Sequence, residues 1–243
     1  MSAITIKTKD GDCPAQVYRP AGTGPWPAVL MYMDGIGIRP TMLELGERLA
    51  TNGYFVLLPD LYYRSGPYEP MGAEIFADPE KRKLLFSKFM SLATPENIMS
   101  DTRAFIDYFA TQQDVKSGKI GTTGYCLGGF MSLTAAGTYP ESVIAAASYH
   151  GGRLATDAPD SPHLLASKMT ARVYVAGAIE DESFTDEMKA RLDAALTAAG
   201  VDHKIETYPA KHGWVMRDLP VYDQAAAERH WQTMLTLFGA KLN

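Results

Sequence analysis

The stretch KIGTTGYCLGGFMSLTAAGT, residues 119–138, carries the strongest structural signal in the chain. Lys119 to Thr123 predicts a short strand, and the small, mostly apolar run from Phe130 to Thr138 predicts a buried helix. Between them, two glycines frame Cys126 at the spacing Gly-x-Cys-x-Gly. A side chain raised on a sharp strand-to-helix turn needs such small neighbours. The stretch therefore predicts a sheet that packs against helices and presents a cysteine above one of its edges.

The rest of the chain alternates between strand-like and helix-like segments, and we expect one α/β domain over residues 1–243. Short continuous apolar runs indicate strands buried on both faces, which favours a mostly parallel central sheet with helices on both faces. The turn Asp10-Gly11-Asp12 predicts an N-terminal hairpin at one edge of the sheet. Strands are predicted at 4–8, 15–18, 28–33, 54–58, 119–123, 143–149, 172–176 and 203–208, and helices at 42–50, 83–92, 96–111, 130–138, 184–199 and 222–238.

Composition narrows the class of protein. Of 243 residues, 46% are hydrophobic and 21% are charged, which is typical of a soluble globular protein. The net charge of −5 argues against a general binder of nucleic acid or of acidic membranes. Two cysteines are too few for a disulfide framework or a thiolate zinc site. With neither a signal peptide nor a membrane span expected, the predicted location is the cytoplasm.

Cys126 is the candidate nucleophile. At the N-terminus of a helix, the helix dipole and the free N–H groups favour a thiolate and a developing oxyanion. A thiol also needs a base, and in this architecture the order along the chain is nucleophile, acid, histidine. His212 follows the last predicted strand and precedes the final helix, so it is the candidate base. The alternatives are a structural cysteine in a glycine-rich turn and a loop histidine packed on Trp214.

The acid is expected after the strand at 172–176, where three acidic residues follow one another. Asp181 is the first candidate and Glu180 the second, while a solvated acidic turn is the alternative for the others. His150 ends a strand and is a candidate for substrate binding, or else a structural histidine with satisfied hydrogen bonds. An oxyanion hole would use the backbone N–H groups of Leu127 and Gly35.

Several of these motifs together resemble the dienelactone hydrolase family. They are Gly124-Tyr125-Cys126-Leu127-Gly128-Gly129, Pro59-Asp60-Leu61-Tyr62, Asp181 and His212-Gly213. The resemblance runs over nearly the whole chain. It implies an α/β-hydrolase fold, a Cys126-Asp181-His212 triad, and hydrolysis of a small ester or lactone through a thioester, with no metal or organic cofactor.

The resemblance also implies further site residues. Asp34 takes the place of an acidic residue that positions the resting thiol, although it is one methylene shorter than the expected glutamate. The family grips a substrate carboxylate with two arginines, for which Arg82 and Arg217 are the candidates. The match to Arg217 is displaced by one residue, since Met216 stands at the expected position.

Aromatic residues near the motifs suggest an apolar pocket, and Tyr125 and Trp214 are predicted as wall residues that contact the substrate. Two other functions stay open. One is a broad carboxylesterase or thioesterase without preference for diacids, and the other is a binding protein with weak catalysis. A small-molecule substrate is expected in each case, and the oligomeric state is not predicted.

Overall fold

The computed structural model describes the backbone of residues 1–243 and all side chains except those of Phe76 and Ser117. Its centre is an eight-stranded sheet in the order β1-β2-β4-β3-β5-β6-β7-β8. The strands are β1 Ser2–Thr8, β2 Gly11–Tyr18, β3 Trp26–Tyr32, β4 Phe55–Pro59, β5 Val115–Tyr125, β6 Val143–Tyr149, β7 Arg172–Gly177 and β8 His203–Thr207.

The sheet is antiparallel at one edge and parallel elsewhere. Strands β1 and β2 form the predicted hairpin, and β2 pairs antiparallel with β4. From β4 to β8 every neighbouring pair is parallel. The carboxyl ends of β3, β5, β6, β7 and β8 therefore lie along one edge, where side chains from distant segments can meet.

Helices cover both faces of the sheet, as the sequence predicts. On one face α1 and α7 are joined by the ion pair Arg48–Glu228, and on the other α4 packs against α5. The helices are α1 Pro40–Thr51, α2 Glu74–Ala77, α3 Pro79–Leu84, α4 Pro95–Thr111, α5 Leu127–Thr138, α6 Asp186–Ala198 and α7 Gln224–Leu242.

The boundaries around the central motif differ from the prediction. Strand β5 runs on to Tyr125, and α5 begins at Leu127 rather than at Phe130. The glycines at 128 and 129 are thus helical, although glycine is a poor helix former. Almost all of α5 is buried, so tertiary packing outweighs that preference.

The segment between β4 and α4 is mostly irregular before residue 74. It contains a 3₁₀ turn at Tyr63–Ser65, and α2 and α3 follow. A π-helix at Leu85–Met90 continues directly from α3. Leu85 and Phe89 of this π-helix are buried, while Phe86 is exposed. These short helices lie over the carboxyl edge of the sheet and cover part of the site described next.

Candidate active site

The turn between β5 and α5 holds Cys126 in a left-handed backbone conformation, with φ of 53°. A Cβ on Gly124 would lie 2.1 Å from the carbonyl oxygen of Gly128, and one on Gly128 would lie 2.4 Å from that of Tyr32. Both contacts are far too short for a side chain, so these positions must be glycine. The two glycines let the start of α5 pack directly on the ends of β3 and β5, which lifts Cys126 above the sheet.

Strained backbone conformations are concentrated near this turn. Outside glycine, φ lies in the left-handed region at four described residues, which are Cys126, His150, Arg153 and Glu180. They follow the carboxyl ends of β5, β6 and β7. Such conformations cost of order 1–3 kcal/mol each and persist where the surroundings enforce them, often at functional sites.

The structure brings His212 and Asp181 together although 30 residues separate them in the chain. The His212 Nδ1 atom lies 2.8 Å from Oδ2 of Asp181. The other carboxylate oxygen accepts hydrogen bonds from Ser183, at 2.9 Å from the backbone N–H and 2.6 Å from the hydroxyl. Both carboxylate oxygens are therefore engaged, which fixes the carboxylate and leaves Nε2 of His212 as the free ring nitrogen.

Electrostatics favour an ionised pair. Burial raises the pKa of Asp181, but hydrogen bonds from His212 and Ser183 outweigh burial and lower it to about 2. Burial likewise lowers the pKa of His212, but Asp181 and the neighbouring Cys126 sulfur together raise it to about 10. The imidazolium is therefore strongly stabilised, which is what a histidine that accepts a proton from a thiol requires.

Cys126 and His212 line the same two cavities and are both partly exposed. The sulfur is thus reachable from solvent rather than enclosed in the core. The structure brings the predicted nucleophile, base and acid to one place at the carboxyl edge of the sheet.

Two backbone amides are available for an oxyanion. Leu127 is the first residue of α5, so its N–H lies outside the hydrogen-bond ladder of the helix. In the turn after β3, the Ile36 and Gly37 amides donate to Asp34, at 2.9 and 3.2 Å. Among the described residues the Gly35 amide has no acceptor, and Gly35 and Leu127 each line a cavity that contains Cys126.

The Pro59-Asp60-Leu61-Tyr62 motif holds that turn in place. The Tyr62 hydroxyl donates to the carbonyl of Gly35 at 2.7 Å. Asp60 accepts from the Tyr62 amide and from the Tyr68 hydroxyl, both at 2.9 Å. Tyr62 is almost fully buried, so the motif stabilises the Gly35 turn from the side of the protein core.

Asp34 has a different partner from the predicted one. Its two oxygens accept from the Arg39 guanidinium at 2.7 and 2.9 Å, in a pair that is almost fully buried. Asp34 lines the same cavity as Cys126, but the structure shows no hydrogen bond between them among the described residues. The predicted contact between Asp34 and the thiol is therefore replaced here by a bidentate ion pair.

The first cavity, which we call the apolar cavity, has a volume of about 710 Å³ and lies beneath α2, α3 and the π-helix. Cys126 and His212 line it, together with Asp34 and His150, and most of its other lining residues are apolar. The apolar lining consists of Ile36, Ala73, Ala77, Leu85, Phe86, Met90, Leu219, Pro220 and Val221. No lysine or arginine is among its lining residues in the described part of the chain, so the cavity is suited to a small uncharged group.

The second cavity, which we call the Arg153 cavity, shares Cys126 and His212 with the first and has a volume of about 570 Å³. Its lining is more polar and includes Arg153, Asp160, Asp181 and Ser183. The Arg153 amide donates to the carbonyl of Ser183, so this loop is tied to the segment that carries Asp181. Cys126 thus lines two cavities of different polarity.

The structure does not bring the two predicted carboxylate-binding arginines to the site. Arg82 lies exposed on α3, and Arg217 lies on a separate surface groove with Glu44, Glu47 and Arg48. Met216, at the position where the family pattern has arginine, is fully buried. Neither arginine lines a cavity that contains Cys126, because both side chains point to solvent.

Tyr125 and Trp214 are predicted to line the substrate pocket, but the structure places both beneath the residues that line it. Both are fully buried and line neither cavity. Tyr125 bonds to His230 at 3.0 Å, and Trp214 packs edge-on against His150. His150 itself does line the apolar cavity, with its ring 5.0 Å from that of His212. Burial and the nearby His212 lower the pKa of His150 well below its ordinary range, so this ring is neutral.

Sequence reasoning missed Arg39, Arg153 and Ser183. Arg39 directly precedes the helix that begins at Pro40, which is a local signal, and Asp34 is near it in the chain. Its other carboxylate partner, Asp218, lies 179 residues away. Arg153 follows His150-Gly151-Gly152 directly after β6, and that glycine pair marks a loop near the site. Nothing in the sequence marks Ser183 beyond its position next to Asp181.

Two further observations concern the described residues as a set. No helix in this part of the chain is long and apolar enough to cross a membrane. Nor do three or more His, Cys, Asp or Glu side chains gather there in an arrangement that could hold a metal ion.

Comparison with known proteins agrees with this architecture. The family model described as "Dienelactone hydrolase family" matches residues 13–242. A protein of Synechocystis sp. named "Putative carboxymethylenebutenolidase" is 29% identical, over 98% of this chain and 96% of its own. The "Carboxymethylenebutenolidase" of Pseudomonas putida is 30% identical, over 61% of this chain and 60% of its own.

A solved structure shows the same fold. The crystal structure of a "Putative Dienelactone Hydrolase" from Klebsiella pneumoniae superposes with a TM-score of 0.85 at 24% identity, covering 98% of this chain and 97% of that one. The fold is that of an α/β-hydrolase, as the sequence predicts. The chain belongs to the dienelactone hydrolase family. It is accordingly a hydrolase of ester bonds, the class that includes the lactone hydrolases.

Proposed function

We propose that this protein hydrolyses small carboxylic esters or lactones through a thioester on Cys126, with His212 as the base and Asp181 as the acid that orients it. One observation carries the proposal. A partly exposed thiol at the start of a buried helix shares two cavities with a histidine whose Nδ1 lies 2.8 Å from a carboxylate.

The first half of the reaction forms the acyl-enzyme. His212 Nε2 takes the proton of the Cys126 thiol, and Asp181 stabilises the imidazolium. The thiolate adds to the carbonyl carbon, and the oxygen that becomes negative accepts hydrogen bonds from the Leu127 and Gly35 amides. The C–O bond of the ester then breaks, and the His212 proton goes to the departing alkoxide. In a lactone that alkoxide remains attached to the acyl group.

The second half releases the acid. His212 Nε2 takes a proton from water, and the oxygen of that water adds to the thioester carbonyl. The C–S bond breaks as the tetrahedral intermediate collapses, and the His212 proton returns to the departing Cys126 thiolate. This leaves the free thiol, a neutral His212 and a carboxylic acid. The residues that take part belong to the protein itself, and the proposal requires neither a metal nor an organic cofactor.

The test is to trap the intermediate. Wild-type protein mixed with p-nitrophenyl acetate and quenched in acid should gain the mass of one acetyl group on the peptide that contains Cys126. Cys126→Ala should form no adduct and release no p-nitrophenol above the uncatalysed rate, while Cys13→Ala should behave as wild type. An adduct on another residue, or turnover by folded Cys126→Ala, would remove the proposed nucleophile.

A second candidate function is a broad carboxylesterase or thioesterase that lacks preference for diacids. It is favoured by one observation, since Arg82 and Arg217 lie outside both cavities that contain Cys126. Rates on a dienelactone and on a neutral aryl ester of similar size separate the two. A preference for the carboxylated lactone supports the specific enzyme, and equal rates support the broad one. Tight binding of a small acid without any turnover would instead indicate a binding protein.

A further inference from the structure

Arg39 makes an unusually complete set of contacts. Its Nη1 atom donates to Asp34 at 2.7 Å and to the Gly37 carbonyl at 3.1 Å, and its Nη2 donates to Asp34 at 2.9 Å. On its other edge, Nε donates to Asp218 at 2.5 Å, and Nη2 reaches the same carboxylate at 3.4 Å. These contacts match the five N–H donors of a guanidinium. The side chain is 2% exposed.

The place of Arg39 in the fold links two parts of the site. Asp34 begins the turn that carries the Gly35 amide, and Asp218 lies in the loop that follows His212. Arg39 itself directly precedes α1, and its carbonyl accepts from the first turn of that helix. One side chain fixed at the start of a helix thus ties the Gly35 turn to the His212 loop.

A stabilising role alone does not account for this pair. Taking two charges out of water costs several kcal/mol per ion, and an apolar pair of similar volume is often at least as stable. A gain in stability is therefore not enough to explain why the pair is present. Asp34 lines the apolar cavity, and it is the one carboxylate among the described residues that do so. Without Arg39 its charge would face the sulfur, where it would oppose the formation of a thiolate.

We propose that Arg39 is a positioning residue for the chemistry of Cys126: it neutralises Asp34 at the wall of the apolar cavity and holds the Gly35 turn against the His212 loop. The inference rests on the proposed role of Cys126 as nucleophile. Arg39 does not touch the reacting atoms, because Asp34 lies between it and the cavity, and it acts through the charge and the position of Asp34.

Several other charged or titratable groups lie near the Cys126 sulfur. His150 lines the apolar cavity, His212 lines both cavities, and Arg153, Asp160 and Asp181 line the Arg153 cavity. The buried Tyr62 hydroxyl is also near enough for its pKa to be raised in part by Cys126. Variants of Arg39 and Asp34 leave all of these in place. A change in the ionisation of Cys126 in such variants therefore reports on the Asp34–Arg39 pair.

The experiment measures alkylation of Cys126 by iodoacetamide against pH, which needs no turnover, beside kcat and KM for p-nitrophenyl acetate. Arg39→Met leaves Asp34 uncompensated, so the pH at which alkylation is half-maximal should rise by about one unit. Asp34→Asn removes that negative charge and leaves Arg39 paired with Asp218 alone, so the pH of half-maximal alkylation should fall by a similar amount. The double variant Asp34→Asn/Arg39→Met should return to the wild-type profile.

Two more variants isolate the positioning role. Arg39→Lys keeps the charge but loses the bidentate geometry, so it should keep the wild-type alkylation profile and lower kcat about tenfold. Asp218→Asn should also lower kcat while it leaves the profile in place. Should Arg39→Met not fold, the charge role is tested by Asp34→Asn, which should lower the pH of half-maximal alkylation, beside Arg39→Lys, which should leave it unchanged. A rise or no change in Asp34→Asn would then overturn the inference.

The outcomes separate the two proposals. Shifts of opposite sign that cancel in the double variant support the inference. Shifts of the same sign, no shift, or a double variant that stays displaced would overturn it, because simple structural damage gives no such pattern. Absence of ester turnover in wild-type protein would count against the proposed function alone, since alkylation still reports on Arg39.

Discussion

The two cysteines of this chain occupy opposite kinds of surroundings. Cys13 lies in β2 with no exposed surface, and its thiol donates at 3.5 Å to the carbonyls of Pro14 and Asp60. Burial, with the charges of Asp101 and Asp60, raises the pKa of Cys13 far above its usual range. Cys126 stands at the start of α5, is partly exposed, and lies beside a histidine that a carboxylate orients.

Under the proposed mechanism, the two thiols differ in reactivity because of their positions in the fold, since the residue type is the same. The Cys13 thiol stays protonated, since a thiolate there would lack solvent and would face the charges of Asp101 and Asp60, which outweigh that of Arg64. At the strand-to-helix turn, backbone N–H groups and His212 supply what the thiolate needs. The predictions below test how much each contact contributes to the difference in reactivity between the two thiols.

The largest expected effect follows removal of the carboxylate that orients His212. Asp181→Asn should lower kcat on p-nitrophenyl acetate by roughly 10³–10⁴-fold, because the amide favours the wrong tautomer and does not stabilise the imidazolium. Glu180→Gln, at the exposed neighbouring acid, is the matched control and should stay within about twofold of wild type. Equal losses in the two variants would show that Asp181 has no special role.

Chemical labelling compares the thiols directly. In the folded protein at pH 7.5, iodoacetamide should modify Cys126 about a thousandfold faster than Cys13, because alkylation requires an accessible thiolate. Peptide mass spectrometry over a time course measures both rates in one sample. In urea the two rates should converge, and a persistent difference there would mean that local sequence, not the fold, separates them.

The ion pair beside Cys126 should also make stability depend on pH. The pKa of His212 is raised to about 10, so its contribution is complete below about pH 6.5 and is lost as the pH rises through 10. The pKa of Asp181 is lowered to about 2, so its contribution is present above about pH 4 and is lost as the pH falls toward 2.

Urea unfolding of wild type and Asp181→Asn measures this dependence. At pH 6 the variant should unfold with a free energy on the order of 2 kcal/mol smaller, and the difference should shrink toward zero near pH 10. The difference between wild type and Glu180→Gln should stay flat over the same range. A constant difference for Asp181→Asn would show that the pair does not titrate as expected.

The smallest effect is expected for the buried cysteine. Cys13→Ala removes one buried sulfur from the core and should lower the free energy of unfolding by about 1–2 kcal/mol while kcat and KM stay unchanged. Urea unfolding and steady-state kinetics on the same preparation measure both. A fall in kcat in fully folded Cys13→Ala would contradict the assignment of Cys13 to the core.

Local patterns predicted the parts of the site that lie within one motif. Cys126, Leu127 and the glycines around them follow from a strand, a turn and a helix in direct succession. The positions of Asp181 and His212 follow from the chain order of the fold, since each comes after a strand of the parallel sheet. The predicted wall residues Tyr125 and Trp214 lie deeper than expected, because the direction of a single side chain depends on its neighbours in space.

The sequence by itself determined the class of fold and the family, and it supplied the candidates for nucleophile, acid and base in their order along the chain. Those depend on periodicity, on glycine at tight turns and on short motifs, all of which are local in the chain. Only the tertiary structure decided that Arg39 joins Asp34 to Asp218, that Arg82 and Arg217 stay outside the cavities, and that Arg153 lines one of them. Contacts between residues as far apart as Arg39 and Asp218 depend on how whole helices and strands pack, and no pattern within either segment records that packing.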